Sequence, residues 1–215
     1  MLEKQVERAH YDFKSYMSKA RWASFWHQLD EVQKMAPQNV LEIGPGPGLF
    51  KAIAAQFGII VETLDIDPEL HPDHVGSILD MPFPDGSYET VCAFQMLEHL
   101  PYEHSIRAFE EMLRVSRRHV VISLPDARRV WRYLVHIPAI GTIERFVRRP
   151  ELGAPAHRFD GEHYWEINKQ GFALKTVVED LSAHAALLRT YRVRENPYHR
   201  FFVFEKGQKT EASTR

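Results

Sequence analysis

The feature that most constrains this chain is a short run in which an apolar strand pattern gives way to three glycines. Val40, Leu41 and Ile43 form an apolar segment of the kind buried on both faces of a parallel sheet. Gly44, Gly46 and Gly48 follow, alternating with Pro45 and Pro47, and then Leu49, Phe50, Ile53, Ala54 and Phe57 recur at helical spacing. Strand, tight loop and helix in that order predict one unit of an α/β sheet. Glycine suits such a loop because the chain must turn sharply and let a ligand approach its backbone. The amides that open the helix add donors and a partial positive field.

Spacing narrows the ligand. A dinucleotide fingerprint needs G-x-G-x-x-G, and its third glycine, counted from Gly44, would fall on Leu49, which argues against a dehydrogenase. An acid, Glu42, stands two residues before Gly44, and a carboxylate there suits a cationic or amine-bearing ligand better than a pyrophosphate. A second apolar run, Ile59, Ile60, Val61 and Leu64, ends at Asp65. That places Asp65 at the carboxyl end of a strand, where an acid grips a ribose diol. Gln95 and Met96 end a further buried run over residues 88–95 and are expected to face the same crevice.

Residues 40–48 resemble the first motif of class I S-adenosylmethionine-dependent methyltransferases, and Leu64, Asp65, Ile66, Asp67 and Pro68 resemble the second. Pro82, Phe83, Pro84, Asp85, Gly86 and Ser87 are similar to the family's approach to its fourth strand. Met96, Leu97, Glu98, His99, Leu100 and Pro101, with Glu111, Met112, Leu113, Arg114, Val115 and Ser116, continue the type-11 pattern. The resemblance covers residues 36–125. It implies a Rossmann-like, doubly wound, mostly parallel seven-stranded sheet with a lid inserted after strand five. It also implies S-adenosylmethionine as cofactor, held by Glu42, Gly44, Gly46, Gly48, Asp65, Ile66, Gln95 and Met96. The family commonly has an aspartate at the place of Ser77, so the adenine contact is expected at Ser77, the Ile78 amide or Asp80. N-terminal helices fold over the cofactor in many relatives, which makes Tyr16 and Arg21 candidates, the latter for a carboxylate.

The organisation expected is an N-terminal helical cap over residues 1–35, a methyltransferase domain over 36–207 and a flexible tail over 208–215. In the cap, Val6, Phe13, Met17, Trp22, Phe25, Trp26, Leu29 and Val32 recur at threes and fours, an amphipathic stripe. Asn168 is placed to cap a helix carrying Leu174, Val177, Val178 and Leu181. With 44% hydrophobic and 26% charged residues and a formal net charge of −2, nothing favours nucleic acid as a partner. One cysteine, Cys92, excludes an internal disulfide. The charged start of the chain lacks the apolar core of a signal peptide, and no run reaches the roughly 20 apolar residues of a membrane span. A cytoplasmic protein is the expectation.

Residues 125–168 make the lid. Arg128, Arg129, Arg132, Arg145, Arg148, Arg149 and Arg158 interleave there with Trp131, Tyr133, Leu134, Ile137, Ile140, Ile143 and Phe146. Three readings stand: a solvated basic face, a pocket for an anionic substrate, or contact with a membrane surface. Methyl transfer to a hydroxyl needs a base, and His163, flanked by Asp160, Glu162 and Glu166, is the first candidate, with His99 the second. No metal is expected: Glu98, His99, Glu162 and His163 are ligand types, but neighbours on a strand face opposite ways. The acceptor is expected to be a small or medium-sized molecule, or a peptide carboxylate, taking methyl on oxygen rather than nitrogen. The competing expectation is a non-catalytic module that binds the cofactor and works through the lid.

Overall fold

The computed structural model describes residues 8–151, 153–159 and 161–207. Val6, Asp160 and the tail over 208–215 therefore lie outside the described residues. Two short helical turns, Arg8–Tyr11 and α1 (Phe13–Tyr16), lead into the long helix α2 (Lys19–Met35). Ser18 caps α2 by accepting the Arg21 amide at 3.1 Å, and the helix ends at Ala36 in the left-handed region, just before Pro37. The stripe of the cap is narrower than its spacing predicts. Phe25 and Val32 are buried, whereas Phe13, Trp22 and Trp26 are exposed.

The chain then alternates strand and helix: β1 (Val40–Ile43), α3 (Leu49–Gln56), β2 (Val61–Asp65), β3 (His74–Val75), β4 (Tyr88–Phe94), α4 (Tyr102–Val115) and β5 (Ser116–Pro125). A hairpin, β6 (Val130–Ile137) and β7 (Gly141–Arg148), interrupts the alternation before α5 (Leu174–Ser182), β8 (Ala186–Arg192) and β9 (His199–Glu205). The main sheet has seven strands in the order β3-β2-β1-β4-β5-β9-β8, and β6 pairs only with β7. The strands from β3 to β5 are parallel, and β9 pairs antiparallel with both β5 and β8. The order reverses between β1 and β4, which opens the crevice at their carboxyl ends where such sheets bind ligands.

All four residues of β1 are buried because the sheet is covered on both faces. One apolar layer joins Leu41, Ile43, Val91, Phe109, Met112 and Phe204 beneath α4 and α5. The other joins Val40, Phe50, Val61, Cys92, Phe201 and Val203 beneath α2 and α3. Cys92 is a small buried hydrophobe within that layer.

The third strand is short, His74–Val75, and residues 77–80 close a turn in which Ser77 Oγ accepts the Leu79 amide at 3.1 Å. One local expectation is corrected. Asn168 does not cap α5, which begins six residues later; Asn168 sits at φ 67° and its side chain donates to Asp126 Oδ1 at 2.6 Å. No helix among the described residues is long and apolar enough to cross a membrane.

Candidate active site

Two adjoining hollows open at the carboxyl ends of β1, β2 and β4. The wider, about 630 Å³, is lined by Gly44, Asp65, Ile66, Ile78 and Met96 with Tyr11, His99, Phe159 and Tyr164. The narrower, about 180 Å³, is lined by Glu42, Gly44, Gly46, Tyr16 and Arg21, with Gln95, His99 and His163. A larger hollow of about 770 Å³ lies against Gln38, Arg117 and Glu205, at the amino ends of β4 and β5. Ligands of open α/β sheets sit at the carboxyl ends, so the paired hollows form the site.

The glycine turn shapes the floor. Gly44 adopts φ +66°, and a Cβ added there would meet Met96 Cγ at 2.7 Å. Glu42 is 4% exposed, and its Oε2 meets no hydrogen-bond donor among the described residues. Burial pushes its carboxyl up to about 8, opposed only by the charge of Lys51. Asp65, at the end of β2, accepts the Asp67 amide at 2.9 Å. Burial raises its carboxyl, and that hydrogen bond works against the shift. Gln95 occupies the left-handed region at φ 53°, a conformation costly for a residue with a side chain. Arg21 lies over the Tyr16 ring at 4.0 Å, and both line the narrow hollow.

Four expectations about the site are placed differently by the structure. Gly48 forms the N-cap of α3 and lines neither hollow. Ser77 and the exposed Asp80 also lie outside, leaving Ile78 alone of that trio at the wall. The lid divides in two: among its described residues only Phe159, Gly161, Glu162, His163 and Tyr164 line the hollows, and no hairpin residue does. Among the described residues, none of the lid's seven arginines lines either hollow; Arg132, for one, pairs with Glu144 on the neighbouring strand.

Glu98, His99 and His163 come together. Each offers a ligand atom, and the three atoms lie within 4.8 Å of one another. The expectation that Glu98 and His99 diverge assumed a strand. They occupy a 3-10 turn, Leu97–His99, where neighbours project roughly 120° apart rather than 180°. His163 is delivered by backbone clamps: the Tyr164 amide donates to the Glu98 carbonyl at 2.9 Å, and His99 Nδ1 pairs with the Glu162 carbonyl at 3.0 Å. Trp165, 2% exposed, anchors the stretch through Nε1 to Ser105 Oγ at 3.0 Å. Burial, reinforced by His163, lowers His99 to about 4, so its ring is neutral and weakly basic. Burial raises Glu98 to about 8.

Residues 13–196 match the methyltransferase domain family. The chain belongs to that family. An uncharacterized methyltransferase of Mycobacterium sp. (strain JLS) is 30% identical over 107 residues, 44% of this chain. The matched stretch spans only 40% of that relative's length and 37% of a second one from Mycobacterium marinum. Magnesium protoporphyrin IX methyltransferase of Synechocystis PCC 6803, solved with bound S-adenosylmethionine, shares the fold at TM-score 0.58 and 13% identity over 93% of this chain and 90% of its own. The 1,6-didemethyltoxoflavin-N1-methyltransferase of Burkholderia thailandensis does so at 0.58 and 14%, over 92% and 84%.

The sheet has the class I methyltransferase fold, the fold in which the Synechocystis enzyme holds S-adenosylmethionine. The hollows fit that molecule on their own chemistry. Glu42 presents a buried carboxylate oxygen that no donor among the described residues meets, Asp65 stands at the end of β2, and the glycine turn lies between them. Tyr11, Gln28 and Tyr198 line the hollows but carry no motif, and nothing in their spacing announces them; Asp67, in the second motif, lines the wider one.

Proposed function

We propose that the methyltransferase methylates a hydroxyl oxygen of a small or medium-sized acceptor. The observation that carries this reading is the convergence of Glu98, His99 and His163 at the mouth of the cofactor hollow. A carboxylate acceptor arrives ionised and needs cationic holders, and Arg21 is the only lysine or arginine among the described lining residues of the two hollows. A hydroxyl arrives protonated and needs a group to handle that proton.

In this reading Glu42 holds the amino group of the cofactor, Arg21 and Tyr16 its carboxylate, and Asp65 its ribose, with Ile66 and Ile78 against the adenine. The cofactor supplies a methyl group already activated by a positive sulfur. The protein's remaining task is alignment and exclusion of water, which at its best lowers a barrier by about 7–11 kcal/mol. Phe159 and Tyr164, ring centroids 4.5 Å apart, wall the acceptor side. His99 is too weakly basic to accept a hydroxyl proton well, which leaves His163 as the better-placed ring.

The test is a panel of hydroxyl, carboxylate and amine acceptors with isotope-labelled cofactor and mass analysis of the product. Labelled ethers from the hydroxyl set are expected; label found only in esters or methylamines overturns the reading. His163→Ala is expected to lower turnover by 10²-fold or more, on the order of general acid–base contributions, with cofactor affinity within twofold.

A further inference from the structure

From the geometry of Glu98, His99 and His163 we infer that this cluster binds a divalent transition-metal ion, which takes the acceptor's hydroxyl oxygen in an open coordination position.

The donor set comes first. Two imidazoles and one carboxylate are the ligands of open catalytic sites for first-row divalent ions; magnesium and calcium favour oxygen alone. The three atoms already lie within 4.8 Å of one another, and bonds of about 2.0–2.2 Å close that span by rotamer-scale adjustment. Three protein ligands leave room for a substrate oxygen.

Glu98 is the independent observation. It is 0% exposed, and neither carboxylate oxygen meets a hydrogen-bond donor among the described residues. Burying a carboxylate unpaired costs several kcal/mol, whereas a cation beside it removes the cost. The surrounding bonds orient the rings as metal sites require. His99 Nδ1 lies 3.0 Å from the Glu162 carbonyl and His163 Nδ1 lies 3.3 Å from Glu166 Oε1. Each acceptor favours the proton on Nδ1, which assigns ligation to Nε2 in this inference. Glu166 is itself buried and lies 3.7 Å from Lys169, a carboxylate–histidine relay one layer out.

The chemical role rests on the methyl-transfer reading; the ligand set does not. A hydroxyl oxygen bound to a divalent ion loses its proton to water far more readily. The oxygen–carbon bond then forms as the sulfur–carbon bond breaks, and the sulfonium ends as a neutral thioether. With the ion in place His163 is a ligand rather than the base, and no side chain has to take the proton directly.

The experiment uses the full chain stripped with a chelator and titrated with Co²⁺ alone, following visible ligand-field absorption and heat. One ion per chain is expected. Glu98→Gln, which keeps the shape and removes the charge, and His163→Ala, on the lid, should each weaken binding at least tenfold. Glu62→Gln, whose carboxylate pairs with His74 at 2.7 Å on the far side of the sheet edge, should not change it. Should Glu98→Gln fail to fold by circular dichroism, His163→Ala decides. Absence of binding at millimolar Co²⁺, or binding indifferent to His163→Ala, overturns the inference. Titration with S-adenosylhomocysteine in parallel separates the two readings. Cofactor affinity retained without Co²⁺ binding removes the metal alone, and Co²⁺ bound without cofactor affinity removes the methyl-transfer reading alone.

Discussion

Glu42 should give up a proton when the cofactor binds. In the free protein its carboxyl sits at about 8, so at pH 7 about nine chains in ten carry the proton there. The groups that face it are few: Lys51 from α3, Tyr16 from α1, Cys92 beside it on β4, and Arg21 across the hollow. An ammonium group arriving against this carboxyl favours the ionised form. Returning the value from about 8 to the ordinary 4.5 is about 3.5 pKa units, or about 5 kcal/mol of coupling. Binding therefore releases about 0.9 proton per cofactor at pH 7. The direction follows: a group protonated in the free state and ionised in the bound state makes affinity rise with pH, about tenfold per unit below pH 8. Calorimetry with S-adenosylhomocysteine in two buffers of different ionisation enthalpy reads the proton count as the slope. Glu42→Gln should bring the slope near zero. An equal slope in that variant, or no slope in the parent, refutes the assignment of Glu42 to the amine.

Other substitutions probe the rest of the site and its frame. Asp65→Ala should weaken cofactor binding more than tenfold, or about 1.4 kcal/mol, by calorimetry; unchanged affinity would move the ribose contact elsewhere. Asp126, 1% exposed, accepts from Arg192 Nε at 2.7 Å, Arg200 Nε at 2.8 Å and Asn168 Nδ2 at 2.6 Å. Asp126→Asn strands two largely buried guanidinium groups and should cost about 3–5 kcal/mol in denaturant unfolding. Burial alone would raise the Asp126 carboxyl, but the arginine hydrogen bonds outweigh it and hold the group below its ordinary value. Its contribution is therefore present above about pH 4 and lost as pH falls through the lowered value, so Asp126→Asn should flatten that part of the acid-unfolding curve. Trp165→Ala should destabilise by about 3–5 kcal/mol and lower turnover by loosening His163, with cofactor affinity less affected.

The parts of the molecule legible in the sequence are those whose signals are local. The strand, glycine turn and helix of residues 40–56 and the acid at Asp65 are adjacent in the chain, so spacing alone places them. Tyr16 and Arg21 come from a resemblance and do reach the hollow. What stayed hidden depends on distance along the chain or on a local geometry that periodicity does not encode. Glu98 and His99 read as neighbours on a strand end, and only a 3-10 turn brings both toward His163, 64 residues from His99. The arginines of the lid read as a candidate anion pocket because composition cannot say which way a hairpin leans. Asn168 reads as a helix cap because its side chain favours one, yet Asp126, 42 residues earlier, holds it in another role.

Asp126 and Asn168 have a consequence for how the molecule can change. They pinch together the two ends of a forty-residue excursion, helped by the Ala127 amide to the Ile167 carbonyl at 2.9 Å and the Ile167 amide to the Pro125 carbonyl at 3.0 Å. The excursion leaves the sheet and returns to it through one narrow neck. Because closure entropy grows only slowly with loop length, such an appendage can be lengthened, trimmed or grafted while the strands beneath keep their register. On the proposed reading, the hairpin can thus change while the glycine turn and Asp65 keep their places, provided the neck stays tied.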